Sequence, residues 1–149
     1  MSQSIPIDVL ASQFLSAVVH GKCLGLKLRS VNSSGVEVEL PFQDRLVGNP
    51  ETGGIHSGAM TTLMDTCCGL SALTVLSQPE VCPTLDLRMD FLKATDREQP
   101  VIAFAEAYHL TSSVIFTRGV AFHHSQQEPL AHAVGTFMRT GKTFHALRG

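Results

Sequence analysis

The longest apolar run in this 149-residue chain does not alternate: residues 52–79 read TGGIHSGAMTTLMDTCCGLSALTVLSQP. Its length and composition predict a helix over about 57–76 that is apolar nearly all round, which only an enclosed position satisfies. Upstream, Ile7, Leu10, Ala11, Phe14, Leu15 and Val18 recur at helical spacing. They predict a helix over 6–19, opened by Pro6 and ended by Gly21. A strand over 27–31, a turn at Asn32-Ser33-Ser34-Gly35 and alternation over 36–40 predict a hairpin. Residues 41–55 read as a polar, glycine-rich loop. After Pro79 the period becomes two: Leu85, Leu87, Met89 and Phe91 alternate with Asp86, Arg88 and Asp90, the pattern of a half-buried strand. Further strands are predicted over 101–110, 114–123 and 130–139, and the closing stretch 142–149 is expected to fray.

These lengths constrain the architecture. A helix of about 20 residues runs ~30 Å, and a ten-residue strand runs ~33 Å. One helix can therefore lie along a curved antiparallel sheet that wraps it. The expectation is an α+β fold of one domain over residues 1–149, with a long central helix wrapped by a curved antiparallel sheet.

Composition narrows the function. The formal charge of −2, with no run of Lys or Arg, argues against a nucleic-acid partner. No run is long and apolar enough to span a membrane, and the first residues lack the basic region of a signal peptide. A soluble, cytoplasmic chain is expected. The cysteines, Cys23, Cys67, Cys68 and Cys82, show no CxxC spacing and read as small hydrophobes in a reducing compartment. His123 and His124 face opposite sides of a strand, so even with His132 nearby no metal site is expected.

One residue does not fit the apolar helix. Asp65 stands in it with no Lys, Arg or Glu anywhere in residues 52–79. On a helical wheel its own face carries the small residues Gly58, Thr61, Cys68, Gly69 and Ala72, while Met60, Leu63, Cys67 and Leu70 lie opposite. Asp65 is therefore expected at a contact surface. A buried carboxylate needs hydrogen bonds or a role. Either it accepts from Thr61, Thr62 or a neighbouring subunit, or it is an acid–base group near the unpaired amides at the helix start.

The run Gly48-Asn49-Pro50, Gly54-Ile55-His56-Ser57-Gly58 and Leu63-Met64-Asp65 resembles the hotdog-fold acyl-CoA thioesterases of the phenylacetate-degradation (PaaI) type. Thr84–Lys93, Ser113–Gly119 and Gly135–Met138 resemble later strands of that family, so the likeness spans 47–139. It implies hydrolysis of an acyl- or aryl-CoA thioester to free acid and CoA, without metal or cofactor. Asp65 would be general base or nucleophile, and the Ser57 and Gly58 amides the oxyanion site. His56 and Asn49 would shape the loop and orient substrate, although either suits a plain turn as well. Thr84 would steady the attacking water. Lys93, Arg97, Ser112, Ser113 and Arg118 fall where the family holds coenzyme A, although each of the three cations reads as well as an ordinary surface charge. Ser57 departs from the family's usual Gly. Phe14, Met60, Met89 and Tyr108 are candidates to line an acyl pocket. A homodimer or homotetramer with sites at the subunit seam is expected. The alternatives are a hotdog hydratase or dehydratase, and a non-catalytic acyl-CoA-binding protein.

Overall fold

The apolar helix forms as α3 (Ser57–Leu73), and the rest of the chain is arranged to cover it. The structure, a computed structural model, describes residues 6–143. Two short helices, α1 (Ile7–Ala17) and α2 (Val19–Leu24), lead into the hairpin of β1 (Lys27–Asn32) and β2 (Gly35–Leu40). A 3₁₀ turn at Asp44–Leu46 and a short pair, β3 (Val47–Asn49) and β4 (Gly54–Ile55), precede α3. Then follow β5 (Thr84–Phe91), β6 (Val101–Leu110), β7 (Val114–Phe122) and β8 (Ala131–Met138). The main sheet is antiparallel with order β1-β2-β6-β7-β8-β5. One long helix against a six-stranded antiparallel sheet is the hotdog fold.

The large side chains of α3 enter the sheet. Leu63, Met64 and Cys67 are fully buried among Val36, Val38, Leu40, Val101, Ala103 and Ile115. The Cys67 thiol reaches the carbonyls of Val36 and Ala103 at 3.3 and 3.5 Å, tying α3 to β2 and β6. Close approach depends on Gly119, where a Cβ would stand 2.7 Å from Met64 Cε. The small-residue face of α3 divides in two. Gly58 is exposed and Thr61, Thr62 and Asp65 are half-buried, whereas Cys68, Gly69 and Ala72 are buried.

Several expectations change. The first helix does not run through residue 19: Val18 is extended (φ −86°, ψ 99°) and the helix restarts as α2. Gly21 lies inside α2, and the left-handed cap is Gly25 at φ 72°, a conformation glycine adopts without steric cost. The central helix ends at Leu73, where Thr74 and Leu76 bond back to Ser71 and Leu73. The polar loop contains β3 and β4. Strand β5 is less buried than its alternation suggests, with Leu85 at 54% and Phe91 at 49% exposure, because it is the sheet's edge. Cys67 and Cys68 are buried and Cys82 half-buried, but Cys23 is exposed. His123 is a buried brace, accepting from the Asp96 amide (3.0 Å) and bonding the Pro100 carbonyl (2.8 Å). At the end of the chain, Lys142 and Thr143 pair with Val81 and Glu80. Residues 144–149 of the stretch expected to fray, like 1–5, lie outside the described residues. Among the described residues, no helix is long and apolar enough to cross a membrane.

Leu63 makes the main test of this packing. Leu63→Ala removes a fully buried side chain and is expected to cost about 2–5 kcal/mol, read as a lower urea midpoint with an unchanged slope.

Candidate active site

The start of α3 is built by its own loop. Asn49 turns the chain before it: its Oδ1 accepts from the Glu51 amide (3.0 Å) and its carbonyl from the Gly53 amide (2.8 Å). The side-chain oxygen of Asn49 thus serves the turn. Thr95 Oγ1 accepts from the Ile55 amide at 2.7 Å, and Arg97 Nη2 donates to the Pro50 carbonyl at 2.9 Å. The loop after β5 therefore braces the loop that leads into α3.

His56 is the N-cap, and its Nδ1 accepts from the Gly58 amide at 3.0 Å. This changes the expected oxyanion site. The Gly58 donor is already used, and among the described residues only Ser57 of that pair keeps an amide without an acceptor. His56 caps a helix through its side chain, as Ser or Asp more often does.

Asp65 lies half-buried further along α3, and Thr84 Oγ1 donates to its Oδ1 at 2.8 Å. Thr61 and Thr62 do not serve it: they bond back to the carbonyls of Ser57 and Gly58. No donor among the described residues reaches Oδ2. Thr84 faces Asp65 because of a β-bulge. Strict alternation would place Thr84 beside Asp86, Arg88 and Asp90 on the outer face. The register instead slips between Thr84 and Asp86, so Thr84 pairs with the inward Phe137 and Leu87 with Gly135. Bulges re-aim side chains in this way.

Beside Asp65 a cavity of about 280 Å³ opens between α3 and the segment before β5. Asp65, Thr66, Thr84 and Glu80 are among its polar lining, and Phe14, Gly69 and Phe137 among its apolar walls. Glu80 accepts from Arg139 Nη2 at 2.6 Å and from the Gly141 amide at 3.1 Å. The hydrogen bond from Arg139, opposed by burial and helped by the Gly141 amide, holds the Glu80 carboxyl below its ordinary value of 4.5. Burial pushes the Cys82 thiol on the same wall up to about 11. Residues 80–83 were not expected here, since nothing in a lone Glu followed by Val-Cys-Pro signals a cavity wall.

The expected coenzyme-binding residues do not all meet. Lys93 lines a cleft with Ser57, Met60, Phe91 and Leu92, and Arg97 is committed to the loop carbonyl at Pro50. Ser112 and Ser113 lie at the opposite strand ends. Phe91 pairs with Ala131, while Val114 pairs with Met138, a separation of about 23 Å along β8. Ser113 is fixed there through Thr111 Oγ1 and the Arg139 amide. Arg118 is on the outer face, paired with Glu106 at 2.7 Å and lying 5.4 Å from the Tyr108 ring. Of the expected pocket residues, Phe14 lines the Asp65 cavity, Met60 the Lys93 cleft, and Met89 packs on the core. Tyr108 lies away from both, against Phe116 and Arg118.

Comparison with known proteins gives concordant results. The family model described as "Thioesterase superfamily" matches residues 52–130. A crystal structure of a Pseudomonas aeruginosa protein is 46% identical, superposes with a TM-score of 0.84, and covers 91% of this chain and 100% of that chain. The PaaI protein of the E. coli phenylacetic acid degradation operon superposes with a TM-score of 0.81 over 93% of this chain and 96% of that one; at 19% identity this speaks for the fold. A Halobacterium salinarum protein, an esterase by name only, is 27% identical over 94 residues; the match covers 61% of each chain.

The Glu80–Arg139 pair generates a pH test. A lowered carboxyl binds its proton less readily in the folded chain than in the unfolded one. Its stabilisation is complete above the ordinary value of 4.5 and is lost as pH falls through the folded value. Glu80→Gln is therefore expected to flatten the acid limb of stability below that pH, measured by urea unfolding at stepped pH. An acid limb identical to that of the parent protein would dismiss the pair as a stabiliser.

Proposed function

The chain belongs to the thioesterase superfamily, and from that premise we propose that it is an acyl-CoA thioesterase, with Asp65 as its catalytic carboxylate. The observation that carries this reading is the Thr84–Asp65 hydrogen bond at the mouth of an apolar cavity. Thr84 fixes one carboxylate oxygen by donating to Oδ1 and leaves Oδ2 to the reaction. Acting as general base, Asp65 takes a proton from water as the water adds to the thioester carbonyl. Acting as nucleophile, it forms a mixed anhydride, expels the CoA thiolate and is released by water. Both routes break the C–S bond and give the free acid and CoA. The Ser57 amide, at the positive end of α3, suits the developing oxyanion.

Within one chain these groups cannot share a carbonyl. Ser57 and Asp65 are eight residues apart on α3, about 12 Å along the axis. The reading therefore includes a homodimer. Strand β5 has an unpaired edge, with Leu85, Phe91 and the following Leu92 exposed, and such edges invite pairing. A two-fold copy across β5 would run the two α3 helices antiparallel over the strip Gly58, Thr61, Thr62 and Asp65. A crossing at Thr61 would set Asp65 opposite the partner's Ser57, four residues to either side. Each site would then use Asp65 and Thr84 of one subunit, with the Ser57 amide and the Lys93 cleft of the other.

The test is thiol release from a panel of acyl-CoA esters. Asp65→Asn keeps shape and removes the basic oxygen, and is expected to cost about 10²–10⁴ in rate. Ser57→Pro deletes the amide at the first helical position, where proline is tolerated, and is expected to cost about 10²–10³. Mixed after co-refolding, the two inactive variants should regain about a quarter of the parent rate, since half the dimers are hybrids with one intact site. Full activity of folded Asp65→Asn would end the catalytic reading, and a mixture that stays inactive would end the shared site.

A further inference from the structure

We infer that the cavity beside Asp65 receives the acyl group and that the N-terminal helix and Glu80 together limit its length, admitting compact acyl groups and excluding long fatty chains. This rests on the thioesterase reading and adds the substrate class to it. The cavity is a channel with two long walls that both begin at the Asp65–Thr84 pair. On α3, Asp65, Gly69 and Leu73 line it, a run of about 12 Å. Opposite them, the segment from Thr84 back to Glu80 lines it, about 13 Å if extended. Phe14 and Val18, from α1 and the break after it, complete the enclosure.

The volume, about 280 Å³, is roughly twice the ~150 Å³ apolar cavity that takes up benzene. That suits a compact acyl group. The ends are chemically unlike the middle. The reacting carbonyl belongs at Asp65, and the far end is closed by Glu80, held ionised by Arg139 and the Gly141 amide. A chain long enough to pass Leu73 would press methylenes onto that carboxylate and strip its water, which is costly. Phe14 and Val18 also lie outside the residues 52–130 that the family model matches. The chemistry thus sits in the shared stretch, while part of the enclosure comes from outside it. At Gly69 an added Cβ would stand 3.4 Å from the Phe137 ring, in ordinary contact, so a methyl fits there only by taking cavity space.

The experiment is kcat/KM for linear acyl-CoA esters from acetyl to palmitoyl, for the parent protein, Phe14→Ala and Gly69→Ala. The parent should fall at least about tenfold between octanoyl- and dodecanoyl-CoA, the scale of discrimination that a few methylenes produce in an apolar pocket. Phe14→Ala should raise the dodecanoyl-to-hexanoyl ratio about tenfold, and Gly69→Ala should lower the octanoyl-to-hexanoyl ratio. Unfolding midpoints identify a variant that has not folded; if that is Phe14→Ala, Gly69→Ala decides. Palmitoyl-CoA cleaved as well as octanoyl-CoA, or variants that scale every ester equally, would overturn the length limit and leave the thioesterase reading standing. Hydrolysis of no CoA ester would overturn both.

Discussion

A helix that is apolar around its circumference must be covered on every side, and covering α3 is the constraint from which the rest of this structure follows. The sheet takes the side that carries Leu63, Met64, Cys67 and Leu70. Phe137 packs on Gly69, and Phe14 and Val18 reach over the second half of the helix, enclosing a cavity as they do so. The first half keeps an open strip of Gly58, Thr61, Thr62 and Asp65. A carboxylate can stand in such a helix only at the boundary between those halves. There it has the hydroxyl of Thr84 on one side and the cavity on the other.

How much of this was legible in the sequence depends on which period carried the information. Helical and two-residue periodicities located the long helix and the strands, because burial on one face repeats at those periods. The wheel singled out the face of Asp65 for the same reason. It gave no warning that Gly69 and Ala72 on that face are buried, since the Phe137 ring that meets Gly69 comes from β8, far away in the chain. Strand β5 shows the limit most sharply. Alternation predicts that Thr84 points outward with Asp86, and one bulge reverses it. A bulge is a property of pairing between strands and leaves no trace in the period of either. The break at Val18 is equally local, and Gly21 looked like a terminus although Gly25 supplies it.

The helix start carries a related lesson about counting donors. Four amides at a helix N-terminus lack intrahelical acceptors in principle, and a motif invites all of them into the chemistry. Here the carbonyl and the ring of His56 take those of Ala59 and Gly58. What remains near the expected oxyanion position is the amide of Ser57, the residue that departs from the family's usual glycine. A serine side chain costs nothing there, because the helical conformation at the first position suits any residue. The departure therefore leaves the donor in place.

Distance supplies the last step. A group of residues close in sequence looks like one site, yet eight residues of helix separate Ser57 from Asp65 by about 12 Å. Likewise the strand ends that lead to Lys93 and Ser113, at Phe91 and Val114, stand about 23 Å apart along β8. A thioester carbonyl needs its base beside the water that attacks the carbon and its oxyanion donor on the oxygen bonded to that same carbon. Rigid secondary structure does not bend to meet that need, so a catalytic reading of both groups requires symmetry to bring them together. The features a two-fold copy would use are already at hand: an unpaired β5 edge and a strip of small residues centred near Thr61. On the proposed reading, the lone carboxylate and the missing cover on α3 are one fact, because the surface that lacks a partner is the surface on which the second subunit completes the chemistry.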